Sequence, residues 1–178
     1  MRYILTALVM VTVWLFSSVS AHDSLIVETP WYEELAFSFP VPECYNICGE
    51  SFDVGDFRLH PALVEVVSQK ESSCRWPRVG PRGAVGYAQI RPRFYHGTFN
   101  IRDRRENLLA ADEILSENIR QFGYCEGVRR YNGSGKDAEC YAHDVLAKFE
   151  KRINGTMNVV FKCPVDLTYC RQRHRRSN

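Results

Sequence analysis

Apolar residues fall into separate groups along this chain of 178 residues, and each group has its own period. The first runs without a break from Tyr3 to Phe16 apart from Thr6 and Thr12, follows Met1-Arg2 and gives way to Ser17-Ser18-Val19-Ser20-Ala21 before the polar His22-Asp23. That order of regions is the order of a secretory signal peptide and predicts removal after Ala21. The competing reading is a membrane anchor, but 14 residues at about 1.5 Å each fall short of a hydrocarbon core of about 30 Å.

Residues 22–57 carry Pro30, Pro40, Pro42, Gly49 and Gly55 around one apolar stretch from Trp31 to Phe39, which reads as a loop-rich lead-in. From His60 the period becomes helical: Pro61 suits a first helical position, Leu63, Val64, Val66 and Val67 follow, and the pattern runs to about Ser72. The Gly, Pro and Arg-rich segment from Arg75 to Gly86 interrupts it, with Tyr87-Ala88-Gln89-Ile90 before Pro92. A second helix is predicted from Asp103, an N-cap with Glu106 as capping-box partner. It carries Leu108, Ala111, Leu115, Ile119 and Phe122 on one face, and Gly123 ends it. A third, about 138–153, places Tyr141, Val145, Phe149 and Ile153 on one stripe and stops at Asn154-Gly155. No period-2 alternation predicts a strand. The expected fold is mainly α: a helical domain over 58–155, between the extension 22–57 and a C-terminal extension 156–178.

Composition is that of an ordinary folded domain, which excludes disorder and collagen-like repeats. The 23 basic residues exceed the 21 acidic ones only because Arg171, Arg173, Arg175 and Arg176 crowd the C-terminus; without them the balance is 19 against 21. No nucleic-acid partner is therefore expected. The tail is either a solvated end or a weak contact for anionic wall polymers or lipid headgroups. Seven cysteines fit an oxidising compartment, secreted or periplasmic, and an odd number leaves at least one outside intrachain pairing. Neighbouring pairs would be Cys44 with Cys48, Cys125 with Cys140 and Cys163 with Cys170, leaving Cys74 as a buried free thiol. The cysteines lack the spacing of a zinc site, and neither a metal nor a cofactor is expected.

One carboxylate stands out. Glu71 lies at i+4 from Val67 and i+7 from Val64, on the apolar side of the first helix, whereas Glu65 falls on the opposite, solvated side. A carboxyl set against apolar groups has its charged form disfavoured and holds a proton near neutral pH, as a general acid must. The plainer reading is a Glu at a frayed helix end that reaches water. No Asp or Glu occurs between Glu71 and Asp103.

Glu71-Ser72-Ser73-Cys74, followed by Gly83-Ala84-Val85-Gly86-Tyr87-Ala88-Gln89-Ile90-Arg91-Pro92, resembles the soluble lytic transglycosylase pattern of Glu-Ser and then Gly-Ala-x-Gly-Leu-Met-Gln-Ile-x-Pro. Gln89 stands 18 residues after Glu71, as in that family. Glu106-Asn107-Leu108 is similar to the family's preceding helix, and Arg130-Tyr131-Asn132-Gly133 to its Ala-Tyr-Asn-Ala-Gly signature. The resemblance covers about residues 60–150. It implies a lysozyme-like domain acting on peptidoglycan glycan strands, with Glu71 as the catalytic acid and base. Gln89, Tyr131, Asn132, Ser73 and Tyr87 would be substrate-binding residues, and Gly83 and Gly86 would let backbone approach the glycan. The sequence departs from the family where Gly80 replaces a Ser that can bond the carboxyl, where Cys74 replaces an aromatic, and where Tyr87-Ala88 replaces Leu-Met. A lysozyme-type muramidase on the same scaffold and a non-catalytic secreted glycan-binding domain are the alternatives. Asn132-Gly-Ser and Asn154-Gly-Thr match the N-glycosylation pattern, without meaning in a bacterial host.

Overall fold

His60 and Pro61 start the first helix as their chemistry requires: the His60 imidazole Nδ1 accepts the N–H of Ala62 at 3.2 Å, and Pro61 occupies a position where no N–H is needed. This helix, α1, spans Pro61–Ser72 in the computed structural model, which describes residues 25–26, 43–154 and 159–176. The predicted signal segment lies outside the described residues, as does the stretch from Trp31 to Phe39. Leu63, Val64, Val66 and Val67 are all buried, so α1 is the central helix of the core rather than a surface helix with one apolar stripe. Each such side chain contributes about 1.5–3 kcal/mol on burial.

The second helix, α2, spans Arg104–Asn132; Asp103 caps it by accepting the N–H of Glu106 at 3.0 Å. The capping box is only half formed, since the Glu106 carboxylate accepts from Asn100 instead of the Asp103 N–H. Gly123 does end the regular stretch, at φ +74°, but the helix resumes immediately and runs on to Tyr131 and Asn132. Phe122, predicted for the buried face, sits at this bend and is exposed, with the Arg130 guanidinium 3.8 Å over its ring. The third helix, α3, spans Lys136–Ile153 and buries Tyr141, Val145, Phe149 and Ile153 against α1 and α2.

The structure adds a hairpin where no strand was expected. With β1 at Leu25–Ile26, strand β2 (Cys44–Ile47) pairs antiparallel with β3 (Glu50–Asp53), and Ile47 opposes Glu50 across a Cys48-Gly49 turn. Both turn residues have positive φ, +54° and +90°, which matches the strand twist. Strands of four residues are too short to show a period, yet Ile47, Phe52 and the following Phe57 join the helical core. Glu65, expected in solvent, is instead a hub: its carboxylate accepts from Tyr45 of the hairpin at 3.2 Å, from Gln69 at 3.1 Å and from Arg152 of α3. Asp112 of α2, only 2% exposed, accepts the N–H groups of Arg58 and Leu59 at 2.8 and 3.0 Å and so fixes the approach to α1.

Strand β4 (Val159–Val160) pairs in parallel with β1, and the Arg-rich end forms a helix, α4, over Leu167–Arg176. The disulfides are Cys48–Cys74, Cys125–Cys163 and Cys140–Cys170, with Cys44 free and exposed. The neighbour pairing expected from sequence is therefore wrong throughout. Cys44 and Cys48 are separated by a strand that rises about 3.4 Å per residue, far beyond the roughly 7 Å Cα limit of a disulfide. The helices instead bring sequence-distant cysteines to Cα separations of 5.1, 5.3 and 5.5 Å. Three disulfides mark an oxidising compartment. Among the described residues no helix is long and apolar enough to cross a membrane.

Candidate active site

Glu71 occupies the last turn of α1, and the chain beyond it is held in place. Ser73 ends the helix in the left-handed region at φ +55°, its N–H bonded to the Gln69 carbonyl, and Cys74 is tied to the hairpin turn through Cys48. The chain then folds back on itself. Gly80 N–H donates to Ala84, Gly86 N–H donates to Arg78, and Val85 and Ile90 exchange a reciprocal pair at 2.9 and 3.0 Å. This small lattice carries Gln89 at φ +50°, an uncommon conformation for a residue with a side chain, stabilised by the Gln89 amide donating to the Gly86 carbonyl at 2.9 Å.

Asn107 of α2 anchors this loop. It is fully buried, donates to the carbonyls of Val85 at 3.2 Å and Ile101 at 2.9 Å, and accepts the Ala88 N–H at 3.0 Å. Gly86, at φ +79°, backs onto Asn107 and Trp76, where a Cβ would collide with both. That packing explains the glycine, in place of the expected approach to a glycan.

Between the loop and the C-terminal part of α2 lies a cleft of about 430 Å³ whose wall includes Glu71, Gln89, Arg91, Arg130, Tyr131 and Asn132. Glu71 is its only carboxylate among the described lining residues. Burial raises the Glu71 pKa, while the Tyr141 hydroxyl, Lys70, Arg78 and Arg91 draw it down without reversing the shift. Lys70 is itself engaged with Asp144 at 2.8 Å, and Arg78 with the Ser72 carbonyl at 3.2 Å. Burial, reinforced by the negative charge of Glu71, holds the phenols of Tyr131 and Tyr141 far above their ordinary pKa, so both stay neutral. A protonatable carboxyl, a neutral phenol and an amide thus face one cavity. No family model, curated protein or solved structure matches this chain.

Four of the residues singled out from sequence meet at this cleft: Glu71, Gln89, Tyr131 and Asn132. Two do not. Ser73 is exposed beyond the helix end, where its left-handed backbone turns it away. Tyr87 is buried, its ring 5.2 Å from Trp76 and its hydroxyl donating to Glu50 at 3.4 Å, so it closes the core between loop and hairpin. Gly80, the departure from Ser, leaves room for the Gln89 carboxamide, which lies where a Cβ would be. The structure adds Tyr141 and Arg91. Tyr141 carried a signal: it is the one stripe residue of α3 with a hydroxyl to satisfy. Among the described residues no group of three or more His, Cys, Asp or Glu converges on a metal site.

Proposed function

We propose that this protein is a peptidoglycan lytic transglycosylase that cleaves the β-1,4 bond between N-acetylmuramic acid and N-acetylglucosamine, with Glu71 as acid and base. The observation that carries the reading is a single half-buried carboxyl of raised pKa in a cleft with no second carboxylate among its described lining residues. Hydrolysis through a nucleophilic or basic partner calls for a second carboxyl about 5–9.5 Å away, and an internal nucleophile removes that need. The protonated Glu71 donates its proton to the glycosidic oxygen as the C1–O bond breaks. The resulting carboxylate takes the proton of the muramic acid C6 hydroxyl as O6 bonds to C1. The product is a 1,6-anhydro end, no water is consumed, and Glu71 is again protonated.

Asn132 supplies its amide and Gln89 its amide oxygen to the N-acetyl and hydroxyl groups of the glycan, the Gln89 amide hydrogens being given to the Gly86 and Arg78 carbonyls. The neutral Tyr131 phenol, its proton given to the Ala88 carbonyl, stands beside the acid as an acceptor. The signal peptide expected from the sequence and the three disulfides suit an enzyme that meets the wall in a secreted or periplasmic setting.

Mass spectrometry of peptidoglycan digested with the mature protein tests this. The expected products carry 1,6-anhydro ends, and Glu71→Gln abolishes them. Reducing ends alone point to a muramidase, and glycan binding without cleavage by either form points to a binding domain.

A further inference from the structure

The resembled pattern leaves one position open between Ile and Pro and has a small residue before Tyr-Asn; this chain has arginine at both, Arg91 and Arg130. Both line the cleft. Their surroundings differ. Arg130 is paired with Glu126 at 2.7 Å and stacks over Phe122, whereas the Arg91 guanidinium has no hydrogen-bond or ion-pair partner among the described residues. Arg91 is partly buried, on the segment that joins the Val85–Ile90 bridge to the turn at Pro92–Phe94.

While Glu71 carries the proton it needs as an acid, the partly buried Arg91 guanidinium faces the cavity with no paired anion among the described residues, a cost that binding of an anion removes. It also opposes the acid: Arg91 is one of the groups that draw the Glu71 pKa down, and unlike Lys70 and Arg78 it is not engaged elsewhere. A bound anion at Arg91 cancels that pull in the occupied enzyme. The guanidinium fork matches a carboxylate in two parallel hydrogen bonds.

We propose that Arg91 selects glycan bearing a pendant carboxylate next to the scissile bond, foremost the free lactyl carboxylate of muramic acid from which the stem peptide has been removed. The inference rests on the glycan-cleaving reading above and narrows it to a substrate form. Arg130, held by Glu126, lines the same cleft and adds positive potential. Stem-peptide carboxylates offer the same chemistry from a second source.

The test compares the mature protein on three substrates: peptide-stripped strands, the same strands with lactyl carboxylates capped as methyl amides, and intact peptide-bearing strands. Stripped strands are expected to exceed capped ones in kcat/KM by about tenfold or more, mainly through KM. In Arg91→Gln that gap collapses, and Arg91→Lys retains part of it. Peptide-bearing strands that match the stripped ones, with the same dependence on Arg91, make the stem peptide the carboxylate source and keep the carboxylate selection. Equal turnover of stripped and capped strands by the wild type, or a gap that survives in Arg91→Gln, overturns the selection while leaving the transglycosylase reading intact. Turnover of none of the three overturns both.

Discussion

The Tyr131 hydroxyl donates a 2.8 Å hydrogen bond to the carbonyl of Ala88, the residue next to Gln89. Since the Ala88 N–H is already held by Asn107, the peptide groups on both sides of this one residue are gripped by side chains of α2. Helix and loop, separated by 43 residues of sequence, therefore move as one body at the cleft. Tyr131→Phe is expected to cost about 1 kcal/mol of stability and to lower turnover of peptidoglycan at least tenfold, because Gln89 loses its fixed position. Urea titration and product release from labelled wall measure the two effects separately.

Asn107 is a structural keystone without access to the cleft. Replacing it with Leu orphans the Ala88 N–H and the carbonyls of Val85 and Ile101 in a dry interior. A loss of about 3 kcal/mol or more is expected, seen as a lower urea midpoint.

The pH profile reports on Glu71. As general acid it works while protonated, so activity falls as pH rises through its raised pKa. The Tyr141 hydroxyl, buried and lacking a regular hydrogen bond, pulls that pKa down along with Lys70, Arg78 and Arg91. Tyr141→Phe removes the pull and is expected to move the alkaline limb of kcat/KM to higher pH. Stability should change by less than about 1 kcal/mol, since no well-formed bond is lost.

Gly80 tests the placement of Gln89 without touching the backbone. Its φ of −92° and ψ of −175° are extended and suit any residue, but a Cβ there displaces the Gln89 carboxamide. Gly80→Ala is expected to cost about 1 kcal/mol of stability, because the Gln89 amide loses its bond to the Gly86 carbonyl, and to weaken glycan binding by roughly tenfold, one hydrogen-bonding group having been turned out of the cleft. Isothermal titration with glycan fragments in the Glu71→Gln background reads this directly.

Asp112 gives the fold its own pH signature. Burial lifts its pKa from 3.8 to about 6 despite the bonds from Arg58 and Leu59 N–H. The folded state thus binds this proton more tightly than the unfolded chain. The contribution is full below pH 3.8 and is lost as pH rises through about 6, a change on the order of 3 kcal/mol. His60, whose pKa burial lowers, acts in the opposite sense as pH falls through 6.5. The difference in urea midpoint between wild type and Asp112→Asn isolates the carboxyl: the wild type's relative stability should decline between about pH 4 and 6 and then level off.

Local chemistry was legible from the chain alone. A Pro at the start of α1, an Asp before α2, a glycine at its bend and apolar stripes on each helix are decided within a few residues, because helix hydrogen bonds and side-chain periods span only one turn. The position of Glu71 on the apolar side followed from the same geometry, and so did its company with Gln89 and Tyr131 once their spacing was compared with a known pattern. Tertiary structure alone decided the rest. Cysteine pairing depends on which helices lie side by side, so Cys74 found Cys48 across a hairpin too short to announce itself. Ser73 and Tyr87, adjacent in sequence to the motif, were turned away by a left-handed helix end and by packing on Trp76. Arg91 and Tyr141 gained their meaning from the carboxyl they face. Burial and unpaired charge are properties of an environment that residues far apart in sequence build together.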